Sequence, residues 1–198
     1  MSFESIEAII GVIIIGLMMA TQVMYISDVI HKKIKPSLLS WFGWALLMGV
    51  SLWSQILESG WEYSQFGMIT ATLGCVAIGV TALILDNYSL KKIDWYILAA
   101  GLFCLVLYLI SKNAWLTTIY SIIADFIIAI PMLIKVVRDP ASEKTNAWYI
   151  SFTTWALTLV ISFNHDVLYA LFPIYLFLFC VAIIILMNRK KKVVVHRG

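Results

Sequence analysis

Seven apolar runs dominate this chain, and each is about as long as a helix that crosses a bilayer. They fall at roughly residues 8–28, 38–57, 66–86, 94–111, 115–137, 147–163 and 167–188. A hydrocarbon core about 30 Å thick is crossed by ~20 residues rising 1.5 Å each. The runs are apolar all round, without the alternation of a lipid-facing strand, which excludes an outer-membrane barrel. Helices close their own backbone hydrogen bonds, which lipid cannot supply. Only 13% of residues are charged and 62% are hydrophobic, whereas a soluble domain carries about a quarter charged. The sequence therefore predicts an all-α integral membrane protein of seven transmembrane helices, with no room left for a soluble domain.

The basic residues orient it. Lys32, Lys33 and Lys35 follow span 1, and Lys91 and Lys92 follow span 3. Lys135, Arg138 and Lys144 follow span 5, and Arg189, Lys190, Lys191, Lys192 and Arg197 follow span 7. Lys112 alone falls on the other side. Positive charge stays cytoplasmic, so the N-terminus is expected outside and the C-terminus inside. The net charge of +3 is this asymmetry and not a nucleic-acid footprint. The lysine-rich tail is a stop-transfer anchor or a contact for anionic lipid. Glu4 and Glu7 stand where a signal peptide would be basic, so the first run is expected to be a retained helix.

An internal repeat is legible. Ser40 to Leu46 and Ser151 to Leu157 both read S-x-x-x-W-A-L, 111 residues apart. Cys75-Val-Ala-Ile78 recurs as Cys180-Val-Ala-Ile183, 105 apart. Lys35-Pro36-Ser37 and Asp139-Pro140-Ala141 occupy corresponding loops, 104 apart. Three matches in one order point to a duplicated three-helix unit. Three helices invert the chain, so a spacer helix is needed to restore direction. The expected organisation is residues 1–90 as the first repeat, 91–112 as the linker helix and 113–198 as the second repeat. The copies then run parallel, and substrate sites in such folds lie between repeats near the midplane.

This 3+1+3 plan, with its orientation, resembles the SWEET and PQ-loop superfamily, in which two three-helix bundles are joined by a linker helix. Ile130-Pro131-Met132 followed by Lys135 looks like a degenerate PQ motif. More closely, the chain resembles a group of bacterial seven-helix membrane proteins of about this length. The shared features are Pro36-Ser37 before Ser40-Trp41, Asp94-Trp95 opening span 4, Asp125 to Pro131, and Asp139-Pro140 through Glu143 to Trp148. The resemblance implies a transporter in a bacterial inner membrane. Sugar-transporting members carry prolines in four helices and paired asparagines on helices 3 and 7. Here only Pro131 and Pro173 lie within spans and neither helix has such an Asn, so sugar specificity does not carry over.

Asp125 is the residue around which chemistry is expected. It sits near the middle of span 5, where a charge costs about 2.5–3.5 kcal/mol on insertion scales. Either it faces a wet inter-repeat cavity, exchanging a proton or touching a cation, or it is a structural acid hydrogen-bonded to Ser, Thr or Trp on a neighbouring helix. Trp44 and Trp155, related by the repeat, are candidate cavity walls, with lipid-facing or packing roles as the alternative. Trp41, Trp53, Trp61, Trp95, Trp115 and Trp148 fall near span ends, where indoles anchor at the interface. Ser151, Thr154, Thr158 and Ser162 form a polar stripe beside Trp155. Thr21 and Gln22 add polarity on span 1, with Thr21 at the repeat position of Asp125. Pro131 lacks an N–H and is expected to kink span 5 as a gate hinge or a static bend. Glu58, Glu62, His165 and Asp166 lie on the outer side, as a vestibule or as solvated charge.

No H-E-x-x-H, G-x-S-x-G, Walker or C-x-x-C motif occurs, so an enzyme, a metal site and a cofactor are not expected. Cys75, Cys104 and Cys180 lie inside spans as packing residues. The function expected is alternating-access transport of a small polar molecule, with Asp125, Trp44, Trp155, Thr21, Gln22, Thr154 and Thr158 binding it. The alternative is a non-transporting receptor or scaffold on the same fold. Expected partners are the small-molecule substrate and membrane lipid, and the chain is a candidate for self-association.

Overall fold

The computed structural model describes residues 3–34, 36, 38–88, 92–140 and 145–189. Several positions on which the charge and motif patterns rest lie outside them: Lys35, Ser37, Lys91, Ala141, Glu143, Lys144 and the tail from Lys190 on. So do the side chains of Glu4, Asp94, Pro131 and Lys135. Among the described residues there are seven α-helices and no strands. They are α1 Phe3–Ile30, α2 Leu38–Ser59, α3 Phe66–Ile84, α4 Lys92–Ser111, α5 Ala114–Arg138, α6 Ala147–Ser162 and α7 Val167–Met187. One 3-10 turn, Tyr63–Gln65, leads into α3.

Each apolar run has become one helix. α1, α5, α7 and α3 with its leading turn are long and apolar enough to cross a membrane. The expectation of seven such helices is met by four. α6 is short at 16 residues, and the described apolar stretch of α4 is Leu98–Leu107. α2 dilutes its apolar content with three Trp, four Ser and Gln55.

The helix ends follow from local chemistry. α2 stops at Gly60, whose φ of +87° is a left-handed conformation that costs a glycine nothing. Lys32, Asp86 and Lys112 take the same left-handed region just beyond α1, α3 and α4. Asp166 caps α7 by accepting the Leu168 N–H at 2.8 Å. α5 is continuous across Pro131 and α7 across Pro173. Neither proline can donate to the carbonyl four residues back.

Polarity is distributed inside out. Exposed Ile, Val, Leu and Phe cover α1, α3, α4 and α5, as at Val12, Ile84, Ile110 and Phe126. The interior holds hydroxyls and amides: Ser51, Ser54, Gln55, Thr117, Thr118, Ser121, Thr154, Thr158 and Ser162 are all essentially inaccessible. An apolar surface this extensive is unfavourable in water and natural in lipid. The hydroxyls back-bond to their own helices, as from Thr158 to the Thr154 carbonyl at 3.0 Å, or bond across them. Ser51 and Thr118 lie 3.0 Å apart between α2 and α5, and the Gln55 amide donates to both.

Packing neighbours are paired. α3 packs against both α1 and α2, and α7 against both α5 and α6. α1 meets α6, and α2 meets α5. α4 lies against α2 and α5. Small residues let α3 approach its neighbours closely: Gly67, Ala71, Gly74, Cys75 and Ala82 are buried along it. A Cβ on Gly67 would sit 2.8 Å from the Thr158 hydroxyl and 3.3 Å from the Trp155 ring. Gly67→Val should therefore push α3 off α6 at a cost of about 1–3 kcal/mol. A lowered thermal midpoint in detergent, with Gly16→Val unchanged because that site is open, is the expected result.

Candidate functional site

Among the described residues, the helices line a partly open cavity of about 110 Å³. Six of the seven line it: α1, α2, α3, α5, α6 and α7 all contribute, and α4 does not. It reaches from the middle of α1, at Met18, to the first turns of α2 and α6, at Trp41 and Ala147. It thus lies toward the end of the bundle where α1 finishes, beside Lys32 and Lys33.

Asp125 forms part of the wall. It stands eleven residues into α5, about 16 Å along that helix, and is 5% exposed. The Tyr175 hydroxyl on α7 donates to its Oδ2 at 2.5 Å. A charge-assisted bond of this kind contributes about 1.5–3 kcal/mol. The carboxyl is therefore both turned to a cavity and hydrogen-bonded, its partner being a tyrosine and not the Ser, Thr or Trp expected for a structural acid.

Six aromatic rings, Tyr25, Trp41, Trp44, Trp148, Trp155 and Phe179, share the wall with aliphatic and small polar side chains. Trp44 meets Trp41 edge-on at 5.2 Å between centroids, and Trp41 meets Tyr25 at 5.2 Å. Tyr25 meets Trp148 at 6.2 Å, Trp148 meets Phe179 at 5.9 Å, and Phe179 stacks on Tyr175 at 6.3 Å. The chain of rings runs from α2 through α1, α6 and α7 and ends on the partner of Asp125. Edge-to-face contacts place the electron-poor edge of one ring on the electron-rich face of the next.

Three buried polar atoms of the lining residues have no hydrogen-bond partner among the described residues: Gln22 Oε1, Trp44 Nε1 and Trp148 Nε1. Gln22 is seated by Gly74, because a Cβ at position 74 would overlap its amide. Unanswered acceptors and donors at a cavity wall are what a polar ligand or ordered water would satisfy.

Of the residues singled out in the sequence, Asp125, Trp44, Trp155, Thr21 and Gln22 are brought together here, with Ser151 beside them. Thr154 and Thr158 are fully buried but are not part of the lining. Their hydroxyls turn back onto the carbonyls of Ile150 and Thr154 at 2.8 and 3.0 Å. Trp41 and Trp148, expected as interfacial anchors, line the cavity instead, and Trp148 is only 9% exposed. Trp53, Trp61, Trp95 and Trp115 are exposed, as anchors should be. Tyr175, Tyr25 and Phe179 carried no signal beyond apolarity. Gly74 had one, standing seven residues after Gly67 and so on nearly the same helix face.

At the opposite end three titratable side chains meet. His165 Nε2 lies 2.9 Å from Glu7 Oε1, and its Nδ1 lies 3.2 Å from Glu62 Oε2. The clasp joins the start of α1 to the α2–α3 and α6–α7 loops. Tyr169 adds a bond to the Gly60 carbonyl at 2.8 Å.

Tyr175→Phe should destabilise the protein by about 1.5–3 kcal/mol by stranding the carboxyl. Added to Asp125→Asn, it should cost far less than the sum, which a double-mutant cycle on thermal unfolding in detergent would read. His165→Leu should lower the thermal midpoint more than Glu62→Gln does, because it leaves buried Glu7 unanswered. Comparison with known proteins finds no matching family model, no matching curated protein and no matching solved structure.

Proposed function

We propose that the protein moves a small polar molecule across a membrane by alternating access between two three-helix repeats, α1–α3 and α5–α7, joined by α4. One observation carries this. Residues related by the sequence repeat converge in pairs on a single cavity: Thr21 with Asp125, Trp44 with Trp155, and Cys75 with Cys180. A space built from equivalent positions of two units can change its opening by rocking one unit against the other.

The neighbour pattern supports the repeat. Exchanging α1 with α5, α2 with α6 and α3 with α7 turns α1 on α3 into α5 on α7 and α2 on α3 into α6 on α7, whereas the packing of α4 on α2 and α5 does not map onto α6 and α1. The same exchange turns α1 on α6 into α5 on α2. This is the layout expected from kinship with SWEET and PQ-loop proteins, with the N-terminus outside and the lysine-rich ends in the cytoplasm. On that orientation the cavity leans inward and the Glu7–His165–Glu62 clasp closes the outer side. Asp125 supplies a charge or a proton at mid-membrane, and Pro131, six residues on, is the hinge candidate in α5.

Two measurements test the proposal. Cys75 and Cys180 line the cavity and Cys104 does not. In inside-out vesicles a small thiol reagent should label the first two, and from the outer face it should label neither. In proteoliposomes, wild type should take up solute in a pH-dependent way that Asp125→Asn abolishes. If wild type carries no solute in a broad screen, the protein is a receptor or scaffold on this fold.

A further inference from the structure

We infer that the cavity takes a small organic cation, an amine or alkylammonium with a hydroxyl or carbonyl a few atoms away. The inference rests on the transport proposal's cavity and narrows its solute.

Charge is the first ground. Among the described residues, Asp125 is the carboxyl in the wall and no Lys, Arg or His lines it. A carboxylate solute would meet an acid and find no counter-charge, whereas a cation would find its partner on α5. A neutral sugar would need several donors and acceptors around its rim, and the walls are mostly ring and aliphatic surface.

The rings are the second ground. Tyr25, Trp41, Trp44, Trp148 and Phe179 surround the space in one continuous series of contacts. Aromatic faces attract an alkylammonium through their quadrupole, most strongly where water is excluded and the ring is an indole. A carboxylate beside such a box adds the long-range attraction that rings alone lack.

The unanswered atoms are the third ground, and they describe the other end of the solute. Gln22 Oε1 seeks a donor, while Trp44 Nε1 and Trp148 Nε1 seek acceptors. A hydroxyl supplies both, and a carbonyl satisfies the indoles. The volume of about 110 Å³ is somewhat below the ~150 Å³ of an engineered cavity that holds benzene, so the solute has no more than about seven non-hydrogen atoms.

The test compares a cation with its neutral isostere on the purified full chain in detergent, by titration calorimetry. Choline, tetramethylammonium and ethanolamine are titrated, and 3,3-dimethylbutan-1-ol stands in for choline with carbon replacing the charged nitrogen. At least one of the three cations should bind, with choline about tenfold or more tighter than the alcohol. Asp125→Asn and Phe179→Leu should each narrow that ratio toward one, and the second variant removes neither partner of the Asp125–Tyr175 bond. Equal binding of choline and the alcohol, or no binding by any of the three cations, overturns the inference. Cation binding without flux in proteoliposomes would sink the transport proposal while leaving this one standing. Flux of a neutral or anionic solute with no cation binding would do the reverse.

Discussion

A carboxyl halfway along an apolar helix has to be answered from somewhere, and in this protein the answer comes from Tyr175. The bond fixes more than one side chain. It sets the rotation of α5 against α7, because Asp125 can reach the phenol from only one face of its helix. That rotation turns Ile123, Phe126, Ile127 and Ile130 outward, where lipid receives them, and brings Ala124 and Ile128 against α2 and α4. With the acid committed inward, the surrounding helices must leave it a space, and the cavity is that space.

The surrounding polar groups obey the same economy. In lipid the helices gain little from burying one apolar face against another, so close packing and hydrogen bonds hold the bundle together. α3 uses small residues to come near both neighbours. α2 and α5 share the Ser51–Gln55–Thr118 network. The hydroxyls of Thr153, Thr154, Thr158 and Ser162 return to their own backbone, which quiets them and leaves Trp155 and Ser151 as residues that α6 shows to the cavity. Polar residues thus divide into those that cement helices and those left open at the wall. Gln22, Trp44 and Trp148 belong to the second group.

Much of this was legible in the sequence because it depends on local composition. Helix number and boundaries follow from apolar runs and turn residues. Asp125 stands out because a charge is conspicuous among isoleucines, and Trp44 and Trp155 because the repeat sets them in register. Other features are contacts across long separations. Tyr175 lies fifty residues from Asp125 in a helix where every neighbour is also apolar or aromatic, so nothing local distinguishes it. Glu7 and His165 are separated by nearly the whole chain. Trp148 opens its helix, where an indole usually anchors at the interface. Only the meeting of α1 and α6 carries it inward against Tyr25. The hydroxyl stripe on α6 misled in the opposite sense, because spacing reports a shared face without saying whether a hydroxyl points across or back.

α4 stands apart from all of this. It rests on α2 and α5 through a few residues such as Gly101, close to Leu46, and Cys104, beside Leu47, and contributes nothing to the cavity wall. Changes at its outward-facing positions, such as Phe103 and Ile110, should therefore leave the chemistry of the wall as it is.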